Sequence, residues 1–233
     1  MLNENNSTMP EDFVYLKDID PTIMQNMMYY SGQNFVGERI SGYKAPCAIL
    51  TRAAALALKK VQSEVKSDGY SLIVFDAYRP AKASAYFQKW GSNFKDEKMK
   101  DKFYPYISKE EIFNGYLAKK SMHSCGSTVD LTIIPINKTP NSNPKLIKRE
   151  TKDGRIIPYF DDGTIDMFSN VDLLDPVSSH NCSNLIDSKY LKRRQYLKEI
   201  MERNGFQAYS KEWWHYTLNN EPYKNRYFDF DIS

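Results

Sequence analysis

A chain of 233 residues, 41% of them hydrophobic and 26% charged, is long enough to bury a core and has the composition of one ordinary globular domain. Its 32 basic and 29 acidic side chains leave a net charge of +3, too even a balance for a nucleic-acid or membrane-surface partner. Three cysteines, Cys47, Cys125 and Cys182, include no CxxC pair, which argues against a structural zinc knot; the odd, sparse count gives no disulfide framework and fits a reducing compartment, with one bridge left open for an oxidising one.

The polar start, MLNENNSTMPEDF, carries no basic-then-apolar leader, and no run approaches the ~20 apolar residues of a membrane span. The expectation is a cytoplasmic protein, with a periplasmic or exported location left open had a leader been removed. Residues 1–10 are expected to be disordered. DFVYLKDI predicts a strand ended by Asp20-Pro21, and residues 22–47 read as irregular chain wrapping something. Leu50, Ala54, Ala57, Val61 and Val65 recur at helical spacing up to a stop at Gly69. YSLIVFDAY predicts a buried strand, and Pro80 opens a helix with Ala83, Tyr86, Phe87 and Trp90 on one side, which puts Arg79 at a strand-to-helix corner.

Further along, a turn at Ser124–Gly126 leads into a strand with Val129, Leu131 and Ile133 on one face and Thr128, Asp130 and Thr132 on the other. Residues 135–165 are polar and rich in turn formers, and read as an insertion with a small hairpin at Asp153-Gly154. DSKYLKRRQYLKEIMERNGF predicts an amphipathic helix with Leu191, Arg194, Leu197 and Met201 inside, the arginine through its stem. FQAYSKEWWHYTL reads as a strand. Together these elements predict a single α+β domain over 1–233, with a small antiparallel or mixed sheet and flanking helices.

Two short stretches hold two of the three histidines. His123 precedes a turn, and Asp130 lies on the polar side of the following strand; with His215 they offer three ligands suited to zinc and one open position for water. Glu212 could move a proton, but three residues apart on a regular strand it and His215 face opposite ways, so a bulge or strand end is required. Arg79 could hold an oxyanion or simply pair with Asp76. On spacing alone, a hydrogen-bonded turn histidine and a loop-facing acid account for the pattern at least as well. Cys125 beside His123 raises a Cys–His nucleophile, but its neighbours supply no orienting group and no cause for a lowered pKa. His180, in VSSHNC, has no acid at ligand-like spacing.

SMHSCGSTVD resembles the SxHxxGxxxD pattern of the zinc D,D-peptidases, and EWWH narrows the resemblance to the D-alanyl-D-alanine dipeptidases of the VanX type, which act in vancomycin resistance and D-Ala-D-Ala salvage. NFVGERISGY, FDAYRP, NGFQAYSKEWWHY and EPYKNRYFDF resemble other parts of that family. The resemblance covers roughly 11–134 and 166–231. It implies one zinc ion in a central cleft, held by His123, Asp130 and His215, with Glu212 as general base and acid and Arg79 on the carbonyl oxygen. It also implies substrate contacts from Ser121 to the carboxylate and Asp172 to the ammonium, with Tyr29 and Tyr43 lining the pocket. The implied reaction is hydrolysis of D-Ala-D-Ala to two D-alanines by metal-bound water, with a small D,D-dipeptide as partner and a homo-oligomer left open.

Two rivals stand beside it: a D,D-carboxypeptidase trimming peptidoglycan stem peptides, and a non-catalytic, zinc-stabilised cell-wall-binding module. The chain departs from the family at 135–165, which is longer, and at Phe168, where a glycine often follows the methionine. Cys125 beside a ligand is expected to make the enzyme oxidation-sensitive.

Overall fold

The apolar run at the start divides in two. In the computed structural model, which describes residues 8–233, Phe13–Tyr15 forms strand β1 and the chain turns at once into a short helix α1, Leu16–Ile19. The strand stops because Leu16 is fully buried and its carbonyl accepts the Asp20 amide at 2.9 Å, closing a helical turn where a longer strand was expected. Of the stretch expected to be disordered, residues 1–7 lie outside the described residues, and 8–10 carry no regular element.

Residues 22–47 are mostly turns around one short strand, β2 at Met24–Gln25. Leu50, expected in the first long helix, lies instead in β3, Ile49–Thr51, which pairs antiparallel with β1. Thr51 then accepts a hydrogen bond from the Ala54 amide and caps α2, Arg52–Ser67, so the helix begins where its donors find an acceptor. Gly69, at φ 83°, ends it. The buried stripe is Ala54, Ala55, Leu58, Val61, Gln62 and Val65.

Strand β4, Tyr70–Asp76, is buried along almost its whole length. Pro80 caps helix α3, Ala81–Gly91, through its backbone geometry, with Ala83, Phe87 and Trp90 inside. Two single-turn helices follow, α4 at Lys100–Phe103 and α5 at Lys109–Ile112. A 3₁₀ turn at Met122–Cys125 then enters β5, Thr128–Pro135. The expected hairpin is present as β6, Leu146–Glu150, paired with β7, Ile156–Phe160, around Gly154. After a second 3₁₀ turn at Pro176–Ser178 comes α6, Ser188–Arg203.

The final aromatic run is two strands, β8 at Phe206–Ala208 and β9 at His215–Leu218, joined by a turn. The expectation of one continuous strand fails here because Tyr209 donates its amide to the His215 carbonyl and Glu212 donates its own to the Tyr209 carbonyl, folding the chain back. Among the described residues the main sheet runs β2-β4-β5-β9-β8, with one parallel pair, β2 with β4, and the rest antiparallel. The sheet is therefore mixed and the fold is α+β. Helix α2 packs on β4 and α6 on β8. No described helix is long and apolar enough to cross a membrane.

Arg194 goes further inside than stem packing requires. Its guanidinium is buried and donates to the carbonyls of Met167, Val177 and Ser179, with the Trp213 ring beside it. One arginine thus satisfies three carbonyls of irregular chain that would otherwise be buried without donors.

Candidate metal centre and active site

Asp130 sits in the middle of the sheet, and its neighbours follow from strand register. Across one ladder it faces His215, the first residue of β9; across the other it faces Asp76, the last of β4. A register irregularity between Val74 and Asp76 makes that second pairing. His123 arrives from the 3₁₀ turn. Gly126 closes that turn at φ 101°, and a Cβ there would lie 2.4 Å from the Phe13 ring, so only glycine lets the chain double back.

The three expected ligands converge. His123 Nε2 lies 3.2 Å from Asp130 Oδ2 and 3.3 Å from His215 Nδ1, and His215 Nδ1 lies 3.0 Å from Asp130 Oδ1. One ligand atom from each residue falls within 4.8 Å of the other two. Asp130 Oδ1 is buried yet accepts no aligned hydrogen bond, despite the nearby imidazole. A buried carboxylate oxygen left this way, with two imidazole nitrogens aimed at the same space, suits a divalent cation. His123 Nδ1 donates to the Ala77 carbonyl at 2.7 Å, which fixes the tautomer and leaves Nε2 free to bind metal.

Burial would raise the Asp130 carboxyl, but the close His123 and His215 imidazoles outweigh it and hold the group below the usual carboxylate range. Burial lowers His215, opposed by Asp130. Both shifts favour the forms a metal needs, an ionised carboxylate and a neutral ring.

Glu212 comes from the turn before β9. Its carbonyl accepts the His215 amide at 3.2 Å, and its Oε2 lies 3.4 Å from His215 Nδ1. No bulge is needed, because Glu212 is not on the strand. Burial, and then the charges of Asp130 and Asp172, push its carboxyl well above the ordinary value.

Arg79 lies at the expected corner and makes the pair with Asp76. Nε and Nη2 bind Asp76 Oδ2 at 2.9 and 2.8 Å, while Nη2 also stands 3.6 Å from Asp130 and the guanidinium lines the cleft. Its faces are covered by Tyr29 and Phe87.

The substrate-contact residues divide. Ser121 and Asp172 line the cleft, and Tyr29 lines it while donating its hydroxyl to Asp172 Oδ2 at 2.5 Å. Tyr43 does not line it: its hydroxyl donates to Asp76 Oδ1 at 2.7 Å, behind Arg79, and its ring packs against Tyr29. Burial, with Asp130 nearby, raises Asp172 to about 7.

Other residues carry less, or went unread. Cys125 is fully buried and burial raises its thiol to about 11, so the expected oxidation sensitivity has no physical basis there. His180 lies outside the cleft, with its ring 6.5 Å from Tyr216. The cleft, about 530 Å³, is also walled by residues sequence reading missed: Phe113, the segment Gly115–Ala118, and Tyr209, whose hydroxyl donates to the Gly115 carbonyl at 2.7 Å. No periodicity marks these residues. Only the spacing of Tyr209 three residues before Glu212 hints at them.

Comparison with known proteins gives the family. The family model described as D-ala-D-ala dipeptidase matches residues 9–139 and 158–233. A D-alanyl-D-alanine dipeptidase of Enterococcus faecalis is 34% identical over 227 residues, covering 97% of this chain and 100% of that one. One from Streptomyces coelicolor is 33% identical over 226 residues, with the same coverage of 97% and 100%. Among solved structures, a mutant of the vancomycin resistance D,D-pentapeptidase VanY in complex with Zn(II) aligns over 78% of this chain and 79% of that one, with TM-score 0.40 and 14% identity. A family match over most of the length and relatives above 30% identity end to end lead to one conclusion: this chain belongs to the D-Ala-D-Ala dipeptidase family.

Proposed function

We propose that the protein is a zinc-dependent dipeptidase that hydrolyses D-Ala-D-Ala to two D-alanines, working as one catalytic domain with β6–β7 as an insertion. The observation that carries this reading is the convergence of His123, Asp130 and His215 on one point in a cleft that also holds Glu212 and Arg79. Zinc bound there supplies a Lewis acid that activates water and polarises the peptide carbonyl.

The chain's own groups do the rest. Glu212 takes the proton from the attacking water and passes it to the leaving amine, and its raised pKa suits both halves of that transfer. Arg79, fixed by Asp76 and backed by Tyr43, faces the carbonyl oxygen as negative charge develops there. Tyr43 therefore serves as a support for the arginine rather than as a pocket wall. Asp172 takes the substrate ammonium, and Ser121 meets its carboxylate. An acid at one end and donors at the other select a zwitterion of dipeptide length, because a longer chain leaves the buried Asp172 unpaired.

Glu212→Gln decides the mechanism. The variant is expected to bind zinc one-to-one while turnover falls by about 10²–10⁴-fold. Native turnover would remove Glu212 from the proton transfer. Comparing D-Ala-D-Ala with its N-acetyl analogue separates the dipeptidase from a D,D-carboxypeptidase, since equal rates leave Asp172 without its role. Absence of zinc-dependent hydrolysis of either would favour the binding-module reading.

A further inference from the structure

The segment that carries Asp172 is held from outside by the hairpin. Phe168 and Asp172 both have φ in the left-handed region, at 76° and 63°, which residues with a Cβ rarely adopt. Such a stretch keeps its shape only when its surroundings fix it.

The inner side is fixed by the core: Arg194 binds the Met167 carbonyl, and Trp213 Nε1 donates to Ser169 Oγ at 2.9 Å. The outer side is fixed by β6–β7. Arg149 donates from Nη1 and Nη2 to the two oxygens of Asp166 at 2.6 and 2.8 Å, and from Nη1 to the Phe168 carbonyl at 3.2 Å. Its guanidinium lies 3.3 Å over the Tyr159 ring, which holds the fork in plane. The Phe160 amide donates to Asn170 Oδ1 at 2.7 Å, and Asn170 Nδ2 donates to the Phe160 carbonyl at 2.8 Å. At the far end Arg155 pairs with Asp175 at 2.5 Å. Ile157, fully buried, joins Phe168, Leu173 and Val177 in an apolar cluster separate from the main core.

Among the described residues this hairpin has no strand partner in the main sheet, and much of it falls in residues 140–157, which the family match skips. The bonds of Arg149, Arg155 and Phe160 run from the hairpin to residues 166–175, and Asp172 lies inside that span.

We infer that the β6–β7 hairpin is an external brace for the Asp172 segment, and that Arg149 is a positioning residue for recognition of the substrate ammonium. The inference rests on the dipeptidase reading for its kinetic consequence and on the contacts alone for the brace. A carboxylate displaced by about 1 Å from a charged partner loses much of the selectivity that partner confers. Arg149 acts through Asp166 and the Phe168 carbonyl and touches no reacting atom. Its side chain is 17% exposed, so it can be changed without opening the core.

The test uses the full-length, zinc-loaded protein with Arg149→Ala, Arg149→Lys and, as a control, Lys148→Ala, an exposed neighbour on the same strand. Steady-state constants are measured for D-Ala-D-Ala and its N-acetyl analogue, and amide hydrogen exchange is followed along the chain. Arg149→Ala should raise KM for the free dipeptide about tenfold with kcat little changed, and leave the N-acetyl substrate unaffected. Exchange should quicken across 166–175 while β5 and β9 stay protected. Arg149→Lys should fall between, because it keeps the charge without the fork, and Lys148→Ala should match the native protein. An equal loss on both substrates, or an unchanged KM, overturns the positioning role; unchanged exchange at 166–175 overturns the brace. If the native protein cleaves neither substrate, the dipeptidase reading fails, and the exchange measurement still decides the brace.

Discussion

The two walls of the cleft are built by different means. On one side, Asp76, Asp130 and His215 sit on three adjacent strands and face one another by register. Their spacing is a property of the backbone ladder. On the other, Tyr29 and Asp172 sit on irregular chain, Asp172 at positive φ, and the segment that carries Asp172 is held by side-chain bonds from Arg149, Arg155 and Arg194. The ladder gives fixed geometry for chemistry that tolerates little error. The irregular wall gives a contact surface whose shape depends on a few arginines, and it can be altered without disturbing the sheet. The sheet wall should therefore fail through lost chemistry with the fold intact, and the irregular wall through lost binding or stability.

Asp130→Asn gives the largest expected effect and tests the first half of that contrast. Metal analysis should show zinc lost, and turnover should drop by roughly 10⁴-fold, on the order of 5 kcal/mol, with circular dichroism unchanged. A folded variant that keeps zinc and activity would break the comparison. Arg194→Met comes next. It strands the carbonyls of Met167, Val177 and Ser179, and denaturant unfolding should show a loss of about 3–5 kcal/mol.

Phe168→Gly sets two effects against each other. Glycine relieves about 1 kcal/mol of left-handed strain, but removing a ring buried against Tyr190 and Ile157 costs about 3–5 kcal/mol. Burial wins, and the variant should be about 2–4 kcal/mol less stable; a stabilised variant would show the irregular wall to be limited by strain instead.

The smallest effect is a pH dependence at Asp172. Its pKa is raised to about 7 by burial and Asp130. The folded state therefore holds a proton there that the unfolded chain has released, and stability falls as pH rises from the ordinary carboxylate range through about 7. Asp172→Asn should remove this slope, adding about 1–3 kcal/mol at pH 8 relative to pH 4 by thermal unfolding. In the native enzyme KM should rise as pH drops through about 7, because a neutral acid cannot pair with an ammonium.

How much of this was legible in the sequence follows the same division. A glycine turn and strand alternation are local signals, so they offered His123, Asp130 and His215 as candidates, and it was the family resemblance that made them a ligand set. The α+β class and the three long helices, α2, α3 and α6, were legible from local signals too. Glu212 was named, but its geometry was not, because the turn at Tyr209–Trp214 contains no glycine or proline to separate β8 from β9. Tyr43 was assigned to the pocket because a tyrosine's pattern does not say which partner its hydroxyl finds. Arg149 and Arg155 were hidden in a polar insertion, where basic residues read as solvated, and their partners Asp166 and Asp175 lie up to 20 residues away. Long-range side-chain pairs leave no period to detect.

One feature of the sheet wall reaches into how the enzyme wears out. The Ala77 carbonyl locks the His123 ring, and its neighbours Asp76 and Arg79 form the ion pair beside it. Ligand orientation and guanidinium placement thus hang from four consecutive residues, tied by covalent bonds rather than by separate contacts. Gentle warming that loosens the arginine-held wall first would leave a protein that still carries its ion and its proton-transfer machinery but no longer captures substrate. Heat inactivation should then be partly reversible on cooling and slowed by saturating dipeptide, well below the temperature at which the ion is released.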